Sequence, residues 1–452
     1  MTQKRANFAG KLSAVLVAAG SAVGLGNIWR FPSLAADNGG GAFLVIYLLC
    51  VLLLGFPLLL AEFSVGRSTQ LGAVGAYEKL NRKWGFIGYF GVLAAFLLLG
   101  FYYVVSGWTL EYFIQSLNGN LADYSSPEQY RALFDNFKTM TWKPLLLTWA
   151  FVLITHTIIA QGVQKGIERM SNILMPLLFV ILIVMAIHSV LMPGGEAGLR
   201  FFLKPDFSAV TPKTILMAMG QAFFSLSIGM GCMVTYASYF NRETNLKRTA
   251  LQVTILDTLV AITAGFIIFP AAFSVGIFNS GEVPMAGPGL IFITLPAIFN
   301  SMPLSMLWSA IFFLLIIVAA LTSTISIHEV VAAYLHEEWH MERRWANRLS
   351  TAAMLGISTL GSLSLGILNG VRIFGLNFFD LFDYITANLL LPLGGLCTSI
   401  FVGWVLDKKF LQEELSDKMG QGGLLVPILR FMLRWICPLI VLAIFLDSLG
   451  LI

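Results

Sequence analysis

The chain reads Gly20-Ser21-Ala22-Val23-Gly24-Leu25-Gly26-Asn27 in the middle of its first long apolar segment. A later apolar segment contains Ser225-Leu226-Ser227-Ile228-Gly229-Met230-Gly231, which again combines G-x-G with small hydroxyl residues. Glycine in a helix interior costs about 1 kcal/mol relative to alanine, so both stretches predict an interrupted helix. The alternative interpretation is a pair of glycine faces that pack closely against neighbouring helices.

The composition predicts a membrane protein. Of the 452 residues, 57% are hydrophobic and 12% are charged, whereas soluble domains are about 45–50% apolar and about 25% charged. Apolar runs such as Ala42–Phe63 and Phe86–Val105 suit helices that cross the hydrocarbon, which takes about 20 residues. The positive charges are dispersed, so nucleic acid is not expected as a partner.

Neither a catalytic centre nor a metal centre is predicted. The four cysteines lie inside apolar runs and are expected to be packing residues, and the five histidines lack metal-ligand spacing. A membrane-embedded enzyme would need a nucleophile with a base, and an ion channel would be expected to show a repeated filter motif. The sequence offers neither pattern.

Eleven membrane-spanning helices are predicted. They lie at roughly 12–36, 42–68, 86–117, 142–160, 166–192, 212–240, 247–276, 304–336, 346–367, 378–405 and 425–450. The connecting segments on one side carry eighteen lysines and arginines and those on the other side carry seven. The positive-inside rule places the N-terminus in the cytoplasm and, with eleven spans, the C-terminus outside.

The two interrupted helices indicate a transporter. They are 205 residues apart, each in the first helix of a five-helix half. Paired interruptions in the two halves of an inverted repeat point to a binding site near the midplane of the membrane. Half-helix N-termini favour a carboxylate, and freed carbonyl oxygens favour a hard cation. Freed backbone at that depth is tolerated only where it lines a cavity or binds a ligand.

Several motifs resemble the neurotransmitter:sodium symporter family. They are the stretch Gly20–Pro32, the following Asn38-Gly39-Gly40-Gly41-Ala42-Phe43, and the segments Gln221–Tyr239, Ala319–Ile327 and Phe379–Tyr384. The resemblance is strongest to prokaryotic LeuT-like amino acid transporters, in particular an eleven-helix subgroup that includes a multi-hydrophobic, tryptophan-type transporter. It implies an all-α LeuT fold in one transmembrane domain. Residues 1–192 would form the first inverted repeat, 212–406 the second, and 425–450 an additional helix.

The resemblance also implies two sodium sites. The first would use Ala22, Asn27, Ser225 and Asp257 together with the carboxylate of the substrate. The second would use carbonyls of Gly20, Val23 and Ala319 with the hydroxyls of Thr322 and Ser323. The last three positions lie within about one helical turn, which is physically sensible for one ion.

Asp257 is an ionisable residue inside an apolar segment, which is costly and indicates a function. Many family members have asparagine at this position and require chloride, and the chloride-dependent members carry serine where Ala261 stands. We expect the Asp257 carboxylate, surrounded by Tyr47, Gln221 and Ser225, to replace that anion. No chloride requirement is therefore expected.

The resemblance implies a substrate pocket without charged side chains. Its lining would be Ser21, Ala22, Gly24, Leu25, Gly26, Leu98, Tyr102, Phe224, Ser225, Ser227, Met230, Ser323 and Ile327. Tyr102 would hydrogen-bond the substrate carboxylate. Monoamine carriers of the family place aspartate at the position of Gly24, so glycine favours a substrate that brings its own carboxylate. A charged side chain would be buried unpaired, which favours tryptophan, tyrosine, phenylalanine or leucine.

Two gates follow from the resemblance. The extracellular gate would pair Arg30 with Asp383 and use Phe224 as a lid, with Asp380 as an alternative partner. The intracellular gate would pair Arg5 with Glu337, supported by Ser238 and Tyr239. Glutamate at 337 and Phe8 near the first helix depart from the family's usual aspartate and tryptophan.

The predicted function is sodium-coupled import of a neutral amino acid by alternating access. Two alternatives stay open: an amino-acid-binding membrane sensor that does not transport, and a carrier coupled to protons. No cleavable signal segment is evident, and together with the resemblance this favours the plasma membrane of a bacterium.

Overall fold

The computed structural model describes residues 7–124, 126–275, 287–416 and 425–451, and its regular structure there is helical. In the described part, the β-type pairings are two isolated bridges, Gly40 with Pro205 and Ile373 with Leu376. The prediction of an all-α protein is therefore confirmed.

Besides short 3₁₀ turns such as Asn120–Asp123, the first half of the chain forms nine helices among the described residues. They are α1 Lys11–Ala22, α2 Gly26–Asp37, α3 Gly41–Thr69, α4 Ala73–Leu80, α5 Arg82–Leu117, α6 Pro127–Thr139, α7 Trp142–Ile159, α8 Val163–Val190 and α9 Gly195–Leu203. The short helices α4, α6 and α9 connect the long apolar ones.

The second half continues the pattern. Its elements are α10 Pro212–Ser225, α11 Cys232–Ala237, α12 Leu246–Ser274, α13 Leu290–Asn300, α14 Ser305–Glu337, α15 Arg343–Leu363, α16 Phe378–Val405, α17 Lys408–Leu415 and α18 Leu425–Ser448. A Thr211 capping box and Pro212 at the first turn fix the start of α10.

Eight described helices are long and apolar enough to cross a membrane, and the bent pair α1 and α2 makes a ninth span. The two remaining predicted spans, 212–240 and 346–367, are also helical, but neither is one continuous apolar helix. The predicted sixth span is divided into α10 and α11, and α15 carries Arg343, Arg344 and Arg348 in its first two turns.

The first helix is interrupted at the predicted glycine stretch. The helix α1 ends at Ala22, Val23 has extended backbone angles, and α2 continues at an angle of 57° to α1. The amide oxygen of Asn27 accepts a hydrogen bond from Gly24 N at 3.0 Å. A side chain thus satisfies one of the backbone groups that the interruption frees.

The second interruption separates α10 from α11. Ser227, Gly229 and Gly231 have φ of 54°, 86° and 74°, which is the left-handed region. Glycine adopts this region without steric cost, which explains why two of the three positions are glycine. Six residues therefore run unwound between Ser225 and Cys232.

The interrupted helices lie at the centre of the bundle. The helix α1 packs against α12, α14 and α8, while α14 also runs along α5. The residues around both interruptions are buried. Freed backbone therefore lies in the protein interior, where a bound ligand can use it.

Candidate substrate and sodium site

The two interruptions meet each other in the protein interior. Ser227 Oγ donates a hydrogen bond to the carbonyl oxygen of Ser21 at 2.9 Å. Gln221 Nε2 donates to the carbonyl oxygen of Gly26 at 3.1 Å. Side chains from the second interruption thus stabilise backbone carbonyls of the first, and the two breaks form one site.

A small cavity of about 30 Å³ lies between the interruptions. Its lining consists of Ser21, Ala22, Gly24, Leu25, Gly26, Asn27, Leu98, Tyr102, Phe224, Ser225, Ser227, Met230, Ser323 and Ile327. The structure therefore brings all the predicted substrate residues around one space, with Asn27 in addition. Their roles in binding stay predictions.

One end of the cavity is polar. Leu25 N donates a hydrogen bond to Tyr102 Oη at 3.2 Å. A Cβ atom added at Gly24 would lie 2.5 Å from Ser323 Oγ and 3.0 Å from Tyr102 Oη. Because real Cβ contacts are not this short, Gly24 is what leaves room beside these two hydroxyl groups.

The other end of the cavity is apolar. Leu98, Met230 and Ile327 are buried there, and Phe224 packs so closely that a Cβ atom at Gly26 would lie 3.0 Å from its ring. Aspartate, glutamate, lysine, arginine and histidine are absent from the described lining. A charged substrate side chain would lose its hydration there without gaining a partner.

Three of the four residues predicted for the first sodium site, Asn27, Ser225 and Asp257, form one hydrogen-bonded cluster. Asn27 Nδ2 donates to Ser225 Oγ at 2.9 Å and to Asp257 Oδ1 at 2.8 Å. Ser225 Oγ donates to Asp257 Oδ2 at 2.7 Å, and Tyr47 Oη lies 3.5 Å from Ser225 Oγ. Asp257 and Asn27 are fully buried. A carboxylate with hydroxyl, amide and carbonyl oxygens around it fits a hard cation such as sodium.

The side-chain amide of Asn27 has a defined orientation. Its amide nitrogen faces Asp257, while its amide oxygen is used by Gly24 N. Coordination of sodium by Asn27 therefore requires the amide to rotate, since a cation binds the oxygen.

The predicted second sodium site lies where α1 ends beside α14. Ser323 Oγ donates to the carbonyl oxygen of Val23 at 3.0 Å, and Thr322 Oγ1 donates to that of Ala319 at 3.0 Å. A Cβ atom at Gly20 would lie 3.5 Å from Thr322 Cβ. The five predicted positions are thus neighbours, and all of their oxygen types suit sodium.

The predicted extracellular ion pair is not formed in this conformation. Arg30 and Asp383 interact electrostatically, but the ion pairs of the described residues do not include them. The Arg30 guanidinium instead lies 4.6 Å from the centre of the Phe224 ring, a cation–π contact. The alternative partner Asp380 is occupied at the start of α16, where it accepts from Asn377 Nδ2 at 2.8 Å.

The residues predicted for the intracellular gate have contacts with residues that the sequence did not indicate. Arg5 lies outside the described residues, and Glu337 accepts from Gly72 N at 2.7 Å. Tyr239 Oη donates to Glu329 Oε1 at 2.6 Å, and Arg343 forms an ion pair with the other oxygen of Glu329. The predicted supporting residue Ser238 is fully buried and bonds the carbonyl of Thr235.

The N-terminal segment closes over this cluster. Phe8 N donates to the carbonyl of Tyr239 at 3.0 Å, and the Phe8 ring packs against Tyr236 and Tyr239 at centroid distances of 6.1 and 5.8 Å. Ala9 N donates to both carboxylate oxygens of Glu168 at 3.1 and 3.2 Å. The end of the molecule that carries the N-terminus is therefore closed.

Sequence reasoning missed Glu62. This glutamate of α3 is 1% exposed, and its Oε1 accepts a hydrogen bond of 2.8 Å from Gly229 N in the second interruption. An acid within the run Ala42–Phe63 gives the same signal as Asp257, so the sequence could have revealed it.

Comparison with known proteins gives consistent results. Residues 5–133 and 128–451 match the sodium:neurotransmitter symporter family. An uncharacterized sodium-dependent transporter of Bacillus subtilis, YhdH, is 39% identical over 100% of this chain and 99% of its own length. A similar transporter of Haemophilus influenzae is 36% identical over 99% of both chains.

A solved structure is also similar. The crystal structure of MhsT in complex with L-phenylalanine has 41% sequence identity and a TM-score of 0.88, covering 98% of this chain and 100% of that one. The sodium- and chloride-dependent GABA transporter 2 of Homo sapiens is 29% identical over 99% of this chain and 80% of its own length. The relatives are transporters and not enzymes.

Proposed function

The chain belongs to the sodium:neurotransmitter symporter family, and from this premise we propose that it imports a neutral, hydrophobic or aromatic L-amino acid together with sodium. It is a multi-pass membrane protein, and its relatives are sodium-dependent transporters. The observation that carries the substrate proposal is the cavity between the two interruptions, polar at one end and free of charged side chains at the other.

The polar end suits the carboxylate of an amino acid. Tyr102 Oη lies beside the backbone of the first interruption, and Gly24 leaves the space that an acidic side chain would fill. The N-terminal end of α2 adds backbone N–H groups and a positive dipole end. The apolar end, with Leu98, Met230 and Ile327, would hold the substrate side chain. The similarity to MhsT, solved with L-phenylalanine, supports an aromatic substrate.

Two sodium ions would bind beside the substrate as co-transported ions. The first would be held by Asp257, Ser225, Ala22 and Asn27 after rotation of its amide. The second would be held by the oxygens of Gly20, Val23, Ala319, Thr322 and Ser323. Asp257 supplies a fixed negative charge at the first site, so transport would not need chloride.

Alternating access would use two closures. Phe224 with Arg30 covers the cavity on one side, and the cluster of Phe8, Tyr239 and Glu329 closes the other. The inverted repeats 1–192 and 212–406 would move relative to each other around the site, with 425–450 as the additional helix. We place the chain in a bacterial plasma membrane with its N-terminus in the cytoplasm.

Uptake into proteoliposomes tests the proposal. Labelled phenylalanine, tryptophan and leucine are offered under an inward sodium gradient, then with potassium in place of sodium and gluconate in place of chloride. We expect accumulation that needs sodium but not chloride. Accumulation driven by a pH gradient alone would support the proton-coupled alternative, and sodium-dependent binding without uptake would support the sensor.

A further inference from the structure

A basic groove lies between α17 and the first turns of α18, outside the substrate cavity. Its lining includes Lys408, Gln412, Arg430, Phe431, Arg434 and Trp435, and the open groove has a volume of about 580 Å³. Carboxylates are absent from its described lining. The groove therefore combines three positive charges with aromatic side chains, and neither sodium nor a neutral amino acid would use this combination.

The arginines of the groove, Arg430 and Arg434, form no ion pair within the part of the chain that the structure describes. The Nε atom of each is buried without a hydrogen-bond partner. Arginines four residues apart on a helix share one face, so both guanidinium groups are available to the same ligand. Unpaired cations in a membrane-spanning helix require an anion nearby.

Arg434 is held in a defined position. Its guanidinium carbon lies 3.9 Å from the ring centre of Trp404 and 5.8 Å from that of Trp435. Trp404 Nε1 donates to the carbonyl oxygen of Arg434 at 2.8 Å. Stacking on indole fixes the plane of the guanidinium and leaves its N–H edge for a planar or tetrahedral oxyanion.

The groove lies towards the end of the molecule that carries the N-terminal segment. Its helix α17 is joined to α3 by the Arg67–Glu414 ion pair of 2.8 Å, and Arg67 also bonds the carbonyl of Thr244 near α12. Phe431, Trp435 and Trp404 are 57%, 47% and 44% exposed. Exposed tryptophan beside arginine is typical of the boundary between hydrocarbon and headgroups.

We propose that the basic groove binds the phosphate of an anionic phospholipid from the cytoplasmic leaflet. Arg430, Arg434 and Lys408 would surround the phosphate oxygens, since guanidinium groups bind phosphate through paired N–H donors. The exposed rings of Phe431 and Trp435 would contact the glycerol and upper acyl chain. Basic pockets between membrane helices on the cytoplasmic side recognise such headgroups.

Native mass spectrometry of the full chain tests this site. The purified protein is titrated with phosphatidylglycerol or phosphatidylcholine, and Arg430→Gln/Arg434→Gln is compared with the wild type. We expect the wild type to retain phosphatidylglycerol selectively. Each arginine removed should weaken that binding about fivefold, since a basic residue near the surface contributes about 1 kcal/mol. The readout is lipid binding, so it does not depend on whether the chain transports an amino acid.

A matched control separates this site from general surface charge. Arg344→Gln/Arg348→Gln also removes two arginines, one of which stacks on Trp345 at 5.0 Å, but neither lines the groove. The proposal would be overturned if both double variants lost phosphatidylglycerol binding equally, or if Arg430→Gln/Arg434→Gln lost none. If that variant does not fold, the exposed Lys408→Gln should still show the fivefold loss. Inorganic phosphate that displaces phosphatidylglycerol at equal concentration would overturn the assignment to lipid.

Discussion

At the scale of single residues, the site depends on positions where one atom decides the chemistry. Gly24 is one such position, because its missing Cβ keeps space open between Ser323 and Tyr102. Asp257 is another, because its carboxylate is the charge of the hydrogen-bonded cluster with Asn27 and Ser225. Gly24 lies in the first interruption and Asp257 on α12.

Gly24→Ala is expected to weaken phenylalanine binding by roughly tenfold or more. The added Cβ would lie 2.5 Å from Ser323 Oγ, and overpacking of a filled site costs about 1–3 kcal/mol. Equilibrium binding in detergent measures the effect. Gly220→Ala is the control, because a Cβ there meets no atom within 4 Å. Unchanged phenylalanine binding in Gly24→Ala would show that Gly24 does not belong to the substrate site.

Asp257→Asn is expected to abolish chloride-independent, sodium-driven uptake. The substitution keeps the size of the side chain but removes the negative charge that would balance sodium. Uptake is measured with chloride and with gluconate. Thr263→Val on the same helix is the control, since Thr263 is half-buried and its hydroxyl donates to the carbonyl of Leu259. Wild-type-like uptake in gluconate by Asp257→Asn would show that the carboxylate is dispensable.

At the scale of elements, the interrupted helices are stabilised by contacts from other helices. The unwound residues between α10 and α11 include three with positive φ, and the N–H of Gly229 in this stretch is paired with Glu62 of α3. The interruption thus depends on a helix that is distant in sequence.

Glu62→Leu is expected to lower the free energy of unfolding by about 1–3 kcal/mol, the cost of a buried donor without a partner. Glu62→Gln keeps an acceptor oxygen for Gly229 N and should lose much less. Thermal denaturation of both variants in detergent provides the comparison. If the two variants lose equal stability, the carboxylate charge matters rather than the hydrogen bond.

At the scale of the whole molecule, closure of the end that carries the N-terminal segment joins residues from distant parts of the chain. Glu329 of α14 holds Tyr239 and Arg343, while Phe8 from the N-terminal segment packs on Tyr239. Loss of this cluster should favour the conformation that opens to the cytoplasm.

Glu329→Gln is expected to raise thiol labelling at Ser238→Cys several-fold, with the four native cysteines replaced. Ser238 is fully buried beside Tyr239, so a cysteine there is protected while the end stays closed. Labelling rates with a membrane-permeant maleimide measure the opening. Glu342→Gln, an exposed acid beside Arg343, is the control. Equal labelling rates in the two variants would show that Glu329 does not keep this end closed.

The sequence by itself determined the helical membrane fold and the two interruptions. These features depend on local properties, namely apolar length, the backbone freedom of glycine and the cost of a charge in an apolar run. The predicted pocket residues also lie around one cavity, but they were predicted from the resemblance to the family. Tyr102 and Ser323, for example, lie on α5 and α14, away from the two breaks.

Only the tertiary structure decided how side chains from different helices pair. Arg30 stacks on Phe224 instead of pairing with Asp383, the Asn27 amide faces Asp257 with its nitrogen, and Glu329 binds Arg343. Glu62 accepts a hydrogen bond from Gly229 N, although the two residues are 167 positions apart in the sequence. Such choices depend on rotamers and on distances of a few ångströms between helices, which sequence spacing does not fix.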